Sequence, residues 1–390
     1  MSLLPDYIGP AALGIKLGVI FPGCDLADMA ARALEKCQRD GLLQDGDVAC
    51  ITESVVARSQ DNYVTVRHVA SEVRKVLGIG EKGKIGVVFP ILSRNRFALI
   101  LKGIAAAVPR GEVVLQLSFP ADEVGNELLP PDMATSLGFT CNSIITREEL
   151  AHKTLLHPVT KVDYLKLYQN TIEEEGAKAT IFLCNDPVKI ASYKPDGVIA
   201  ADIHTRKKTQ KSIQEILPKC ITLAELCTDG EKWSEWGLLG SNMSSTERLK
   251  LAPREADKFA VSVRERVKTK TGKEIEVIIY GDGAYKDPTT GIYELADPMP
   301  VFGATPGVRG RLREGVKYKF IADRAIAEGK CPTEVEGIID NLKGRTLCQG
   351  GLETEGTTPR RMEDIIASLA DLISGSADAG TPIVLVKGFL

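Results

Sequence analysis

A chain of 390 residues, 44% hydrophobic and 26% charged, has the balance of a soluble globular protein with material for two or three domains. Its formal net charge of -3 gives no whole-chain argument for nucleic acid or a membrane surface as partner, and no run approaches the ~20 apolar residues that a membrane span needs. Nine scattered cysteines, with no C-x-x-C pair and no histidine at zinc spacing, read as reduced thiols of a cytoplasmic protein.

The opening segment is apolar but lacks a basic start, so it reads as a strand around Leu17 to Phe21 and a turn at Pro22-Gly23, not as a leader. Asp25 then caps a helix over Leu26 to Gln38, whose stripe Leu26, Met29, Ala30, Ala33, Leu34 and Cys37 faces inward. Asp45-Gly46-Asp47 turns into the strand Val48 to Ile51. That strand opens into a polar loop, Thr52 to Gln60, in which Ser54 offers a hydroxyl and Arg58 a guanidinium to a phosphate; a solvated strand-to-loop junction is the alternative.

A helix over Val66 to Leu77 precedes Gly78-Ile79-Gly80-Glu81-Lys82-Gly83. This matches G-x-G-x-x-G literally, but a dinucleotide fingerprint must follow a strand and open a helix. Here it ends a helix and precedes the strand Lys84 to Phe89, so it reads as a helix C-cap and linker. No P-loop pattern occurs anywhere in the chain.

From Lys84 to Leu226 short apolar runs alternate with helical ones: Ile85–Phe89, Val113–Leu117, Thr180–Cys184 and Gly197–Ala201 are strands between helices over Phe97 to Ala107 and Val162 to Glu174. That alternation predicts a wound α/β subdomain. Two loops at its strand ends, Ser93 to Arg96 and Asp202 to Lys208, carry phosphate-compatible donors, although a basic run is also the mark of a solvated face.

Beyond Trp233 and Trp236 lies the glycine-flanked loop Gly237 to Asn242, and then a helix over Pro253 to Lys270. The helix leads to the stretch the chain is organised around, Ile275 to Pro288. Ile275, Val277, Ile278 and Ile279 have the pattern of a strand buried on both faces. It ends in Tyr280-Gly281-Asp282-Gly283, where two glycines allow φ > 0 and a carboxylate stands at the mouth of the strand. That is a common place for metal–phosphate chemistry and equally for an ordinary turn.

The order of these pieces resembles the gamma-glutamyl ligases that add glutamate to coenzyme F(420), the deazaflavin cofactor. Four blocks carry the resemblance: GCDLADMAARAL with QDGDVACITESVVARSQ; GLLGSN; KEIEVIIYGDGAYKDP; and MEDIIASLADLISGSADAGTPIVLVKG. They cover about residues 15–65 and 235–390, and Lys84 to Leu226 reads as an insertion. The resemblance implies an α/β (α+β) fold: an intertwined ligase-like core, residues 1–84 and 229–390, with an inserted wound subdomain at 85–228. It also implies a homodimer that uses GTP (or ATP) with Mg2+ or Mn2+. In that chemistry a carboxylate acceptor is phosphorylated and the amine of L-glutamate attacks the acyl phosphate.

Carried over by position, the resemblance puts Glu53, Ser54 and Arg58 on the nucleotide, with Arg58 in place of a family lysine, and adds Asn242. Ser374, Gly375, Ser376, Ala377, Asp378, Gly380 and Thr381 would form the last nucleotide loop, following a helix with Ile365, Ile366, Leu369, Leu372 and Ile373 inward. Asp282 falls on the metal-binding turn. Leu239 and Ser376 stand where the family has a metal-binding aspartate and glutamate, and Asp378 and Asp287 are the carboxylates available to replace them. Three readings follow: an amide ligase for an F(420)-like or folate-like acceptor, a non-catalytic nucleotide or small-molecule binding protein on the same scaffold, and an unrelated enzyme centred on the insertion.

Overall fold

The computed structural model describes residues 7–150, 154–157, 160–281, 297–313, 316–343, 352, 360–374 and 380–390. In chain order the first elements are β1 (Ala11–Ile15), α1 (Leu26–Arg39), β2 (Val48–Thr52), α2 (Glu53–Ser59), β3 (Tyr63–Thr65) and α3 (Val66–Leu77). The middle of the chain supplies β4 (Lys84–Val88), α4 (Phe97–Ala107), β5 (Glu112–Leu117), α5 (Pro131–Ser136), β6 (Ile145–Thr146), α6 (Tyr164–Glu174), β7 (Lys178–Leu183), β8 (Gly197–Ala200), α7 (Arg206–Gln214) and β9 (Cys220–Thr222). There follow β10 (Asn242–Ser245), β11 (Arg248–Lys250), α8 (Ala256–Thr271), β12 (Glu276–Tyr280), β13 (Val301–Ala304) and β14 (Leu312–Arg313). The described chain closes with α9 (Tyr318–Ala327), α10 (Pro332–Lys343), β15 (Arg360–Arg361), α11 (Met362–Ser374) and β16 (Ile383–Lys387).

Two sheets dominate this mixed α/β architecture. The first has five strands in the order β1-β16-β2-β12-β13. Its centre is the parallel pair β2 and β12, in register Cys50↔Ile278 and Tyr280↔Thr52, while β16 runs antiparallel to β2. Alternation along the strands divides the core. Ala49, Ile51, Val277 and Ile279 pack with Leu34 of α1 and Val263 of α8 on one face. Val48, Cys50, Ile278 and Tyr280 pack with Ile366 and Ala370 of α11 on the other. Both faces of β12 are therefore covered, which is why its sequence is a continuous apolar run.

The second sheet has the order β6-β7-β5-β4-β8-β9, all parallel except the edge strand β6. Because β4 lies between β5 and β8, the winding reverses there, and the loops after β4 and β8 flank a topological switch point. Its apolar core reaches beyond its own strands, drawing in Val69 and Val73 of α3 and Leu249 and Leu251 around β11. A three-stranded sheet, β10-β11-β3, bridges the two. No described helix is long and apolar enough to cross a membrane. Every described cysteine is a free thiol.

Four local expectations need correction. The entry strand is Ala11–Ile15, not Leu17 to Phe21: Gly18 has φ 35°, which breaks the extended backbone, and Val19 and Phe21 are exposed. Thr52 to Gln60 is mainly the helix α2, because Val56 and Ala57 bury one face and the Ser59 hydroxyl donates to the Val56 carbonyl. On α11, Leu372 and Ile373 are exposed; the buried stripe runs through Ile366, Ala367, Ala370, Asp371 and Ser374, whose smaller side chains let the helix lie close to the sheet. Gly281 does not take positive φ. The expected cap at Gly78 does form, with φ 58° and its N–H on the Arg74 carbonyl.

Candidate functional site

The carboxyl ends of β2 and β12 open side by side, and the first residues of antiparallel β16 arrive at the same edge, where Thr52 N donates to the Pro382 carbonyl at 3.1 Å. The end of α11 joins them through a hydrogen bond between the Tyr280 and Ser374 hydroxyls. A cleft of about 520 Å³ lies at this junction. Glu53, Ser54 and Arg58 line it from α2, Asn242 from the β10–β11 hairpin, and Asp371 and Ser374 from α11. Gly380 and Thr381 line it beside Gly18 and Gly281, and Asn95 and Arg96 reach it from the loop after β4.

The sequence-derived residues Glu53, Ser54, Arg58, Asn242, Ser374, Gly380 and Thr381 are thus gathered in one cleft. Gly375, Ser376, Ala377 and Asp378 lie outside the described residues, as do Asp282 and Asp287. Leu239 is buried among apolar side chains against the six-stranded sheet. The second basic loop does not enter the cleft. There Asp202 accepts from the Thr205 and Thr209 hydroxyls at 2.6 and 2.8 Å, and the amides of Ile203 and His204 donate to Glu123.

Two buried ion pairs shape the polar wall. Both oxygens of Glu53 lie 2.8 Å from Lys250 Nζ, so this carboxylate is held by a lysine on the strand opposite Asn242. Burial pushes the Glu53 carboxyl above its ordinary range, and the Lys250 charge opposes that rise. The second pair is Arg96 Nη1 to Asp297 Oδ1 at 2.8 Å, with side chains 15% and 3% exposed. The other oxygen of Asp297 rests on Gly281, where a Cβ would overlap both that oxygen and the Phe302 ring. Glycine is needed there for close approach.

Arg58 differs from these. Its Nε donates to the Ile20 carbonyl at 2.6 Å while the residue remains exposed, which aims a cation into the cleft without burying it. If this guanidinium holds a polyphosphate, Arg58→Ala weakens nucleotide binding by ~1.5–3 kcal/mol, the usual worth of a hydrogen bond to a charged group. A direct binding titration reads this, and unchanged affinity would remove Arg58 from the site.

Lys250, Asp297 and Asp371 were not legible as site residues. The available signals were slight: Lys250 interrupts the buried Leu249 and Leu251, and Asp371 sits on the inward stripe of α11. Among the described residues no three His, Cys, Asp or Glu side chains converge as a metal site. Glu53 and Asp297 are moreover committed to cations.

The chain matches the family model described as F420-0:Gamma-glutamyl ligase over residues 14–388, and it belongs to that family. A comparison with curated proteins finds no match.

Proposed function

We propose that this member of the gamma-glutamyl ligase family is a nucleotide- and metal-dependent amide ligase that adds L-glutamate to a carboxylate acceptor, F(420)-like or folate-like, through an acyl phosphate. The observation that carries the reading is the gathering of α2, Asn242, the end of α11 and Gly380-Thr381 around one cleft at the paired strand ends. Backbone amides, an amide side chain, hydroxyls and a guanidinium together suit a triphosphate, and GTP (or ATP) is the proposed cosubstrate.

In the reaction, an acceptor carboxylate oxygen attacks the terminal phosphorus and the nucleoside diphosphate leaves. The amine of glutamate then attacks the acyl carbon, phosphate departs, and the nitrogen loses a proton to give the amide. Such chemistry depends on positioning and charge neutralisation more than on covalent help from the protein. Arg58 would offset phosphate charge, and Ser54, Asn242 and Thr381 would orient the nucleotide. A bound Mg2+ or Mn2+ would supply further neutralisation of the phosphates. The described residues do not form its site by themselves, so the proposed ligand is Asp282. A homodimer is part of the same proposal.

A second reading, a nucleotide or small-molecule binding protein without turnover, is favoured by one observation: Leu239 is buried in an apolar cluster where the family resemblance places a metal-ligating aspartate. One assay separates the two. Full-length protein is incubated with GTP, Mg2+ or Mn2+ and F(420)-0, with and without L-glutamate, and product amide and released phosphate are measured. Glutamate-dependent amide formation supports the ligase. Nucleotide binding without turnover on F(420)-like or folate-like acceptors supports the binding protein.

A further inference from the structure

The described lining of the cleft carries two cationic side chains, Arg58 and Arg96. They come from different sheets. Arg58 projects from α2 at the end of β2, whereas Arg96 comes from the loop after β4, at the switch point of the six-stranded sheet. In wound α/β sheets that is the place where ligands are met. Here the loop is turned toward the other sheet: the Asn95 carbonyl accepts from Met243 N of the hairpin that carries Asn242 and Lys250, and Asn95 lines the cleft beside Arg96.

The ligase reaction has two anions to hold in one cleft, the polyphosphate and the acceptor carboxylate. A carboxylate approaching a phosphoryl group is repelled unless a cation stands on its own side. We propose that Arg96 binds the acceptor carboxylate, so that the six-stranded sheet supplies the acceptor-facing wall of the cleft while α2 and the Gly380-Thr381 segment face the nucleotide. This assignment rests on the ligase reading.

The geometry supports a binding role for Arg96 over a purely structural one. A guanidinium is a planar fork matched to a carboxylate, and one fixed by neighbours loses little freedom on binding. Arg96 is fixed at both ends: its main-chain N–H donates to the Ser93 hydroxyl at 3.2 Å, and the guanidinium is held at Nη1 by Asp297. Asp297 in turn rests on Gly281 at the end of β12. The cation is therefore set at the carboxyl end of β12, beside Gly281.

The test is equilibrium titration of F(420)-0, followed by its own fluorescence, into the full chain with a non-hydrolysable GTP analogue present. Arg96→Gln paired with Asp297→Asn replaces the ion pair by a neutral pair of similar shape, and so protects the fold. It is expected to raise the Kd for F(420)-0 about tenfold or more and to leave that of the GTP analogue within about twofold. Asp297→Asn alone keeps the guanidinium and an amide oxygen that can accept from Nη1, and is expected to weaken F(420)-0 binding clearly less than the paired variant does.

Equal F(420)-0 affinity in the paired variant overturns the proposal. So does an equal loss in Asp297→Asn alone, a parallel loss of nucleotide affinity, or a wild type that binds no F(420)-0. The ligase reading fails separately: wild type that binds F(420)-0 in an Arg96-dependent way but forms no amide leaves the assignment of the wall standing and removes the chemistry.

Discussion

Lys250→Met is expected to destabilise the fold by ~3–5 kcal/mol, the usual cost of removing one partner from a buried ion pair. Both side chains are almost fully enclosed, at 6% and 7% exposure, and both Glu53 oxygens contact the single ammonium. Without Lys250, burial and the Asp297 charge act on Glu53 with only the Arg96 charge opposing them, and its pKa in the folded protein rises further above the unfolded value. A group with a raised folded pKa contributes stability that is complete below the unfolded pKa and is lost as pH climbs through the folded one. The deficit of the variant against wild type should therefore be larger at about pH 8 than at about pH 5.

Glu53→Gln combined with Lys250→Met should recover most of the loss, since a neutral pair carries no stranded charge. Denaturant melts at the two pH values decide the matter. A deficit independent of pH would mean that water reaches Glu53 once Lys250 is gone.

The second large effect is expected at Asp282. Asp282→Asn preserves shape and removes one negative charge. If this residue holds the divalent cation, metal-dependent turnover should fall by about 100-fold or more, since groups that merely support a ligand already cost about 10–100-fold when lost. Stability should change little, because the buried body of β12 ends at Tyr280 and remains intact. Turnover and a denaturant melt on the same preparation separate the roles. Lost stability with intact turnover would make Asp282 a structural turn residue.

The strands of both sheets were largely legible because buried strands are written as unbroken apolar runs. Val48 to Ile51 and Ile275 to Ile279 fall within a residue of β2 and β12, and the runs from Ile85 to Ala201 mark β4, β5, β7 and β8. The edge strand β1 is hard to read because its burial is partial and its glycine interrupts the pattern, while the more apolar segment after it buries Leu17 and Ile20 without forming a strand. α2 reads as a loop from sequence because its seven residues are too few to display a helical period.

Within the cleft, the residues found from sequence lie next to recognisable strand ends. Those missed act through partners far along the chain. Lys250 meets Glu53 across 197 positions and Arg96 meets Asp297 across 201. No local pattern encodes which acid a lysine will find at that distance; only the assembled sheets decide it.

The placement of β16 between β1 and β2 has a consequence for how the protein is made. Residues 383–387 are the shared neighbour of 11–15 and 48–52, so those early strands leave the ribosome long before the strand that joins them. Throughout that interval two apolar strand edges wait unpaired, a state open to wrong partners and to holding chaperones. The six-stranded sheet has no such wait, since all its strands lie between residues 84 and 222 and can zip together while β16 is still untranslated. Ribosome-bound chains arrested before β16 should therefore carry a protease-resistant middle flanked by cleavable ends, and nucleotide should protect the ends only after residues 383–387 have cleared the exit tunnel.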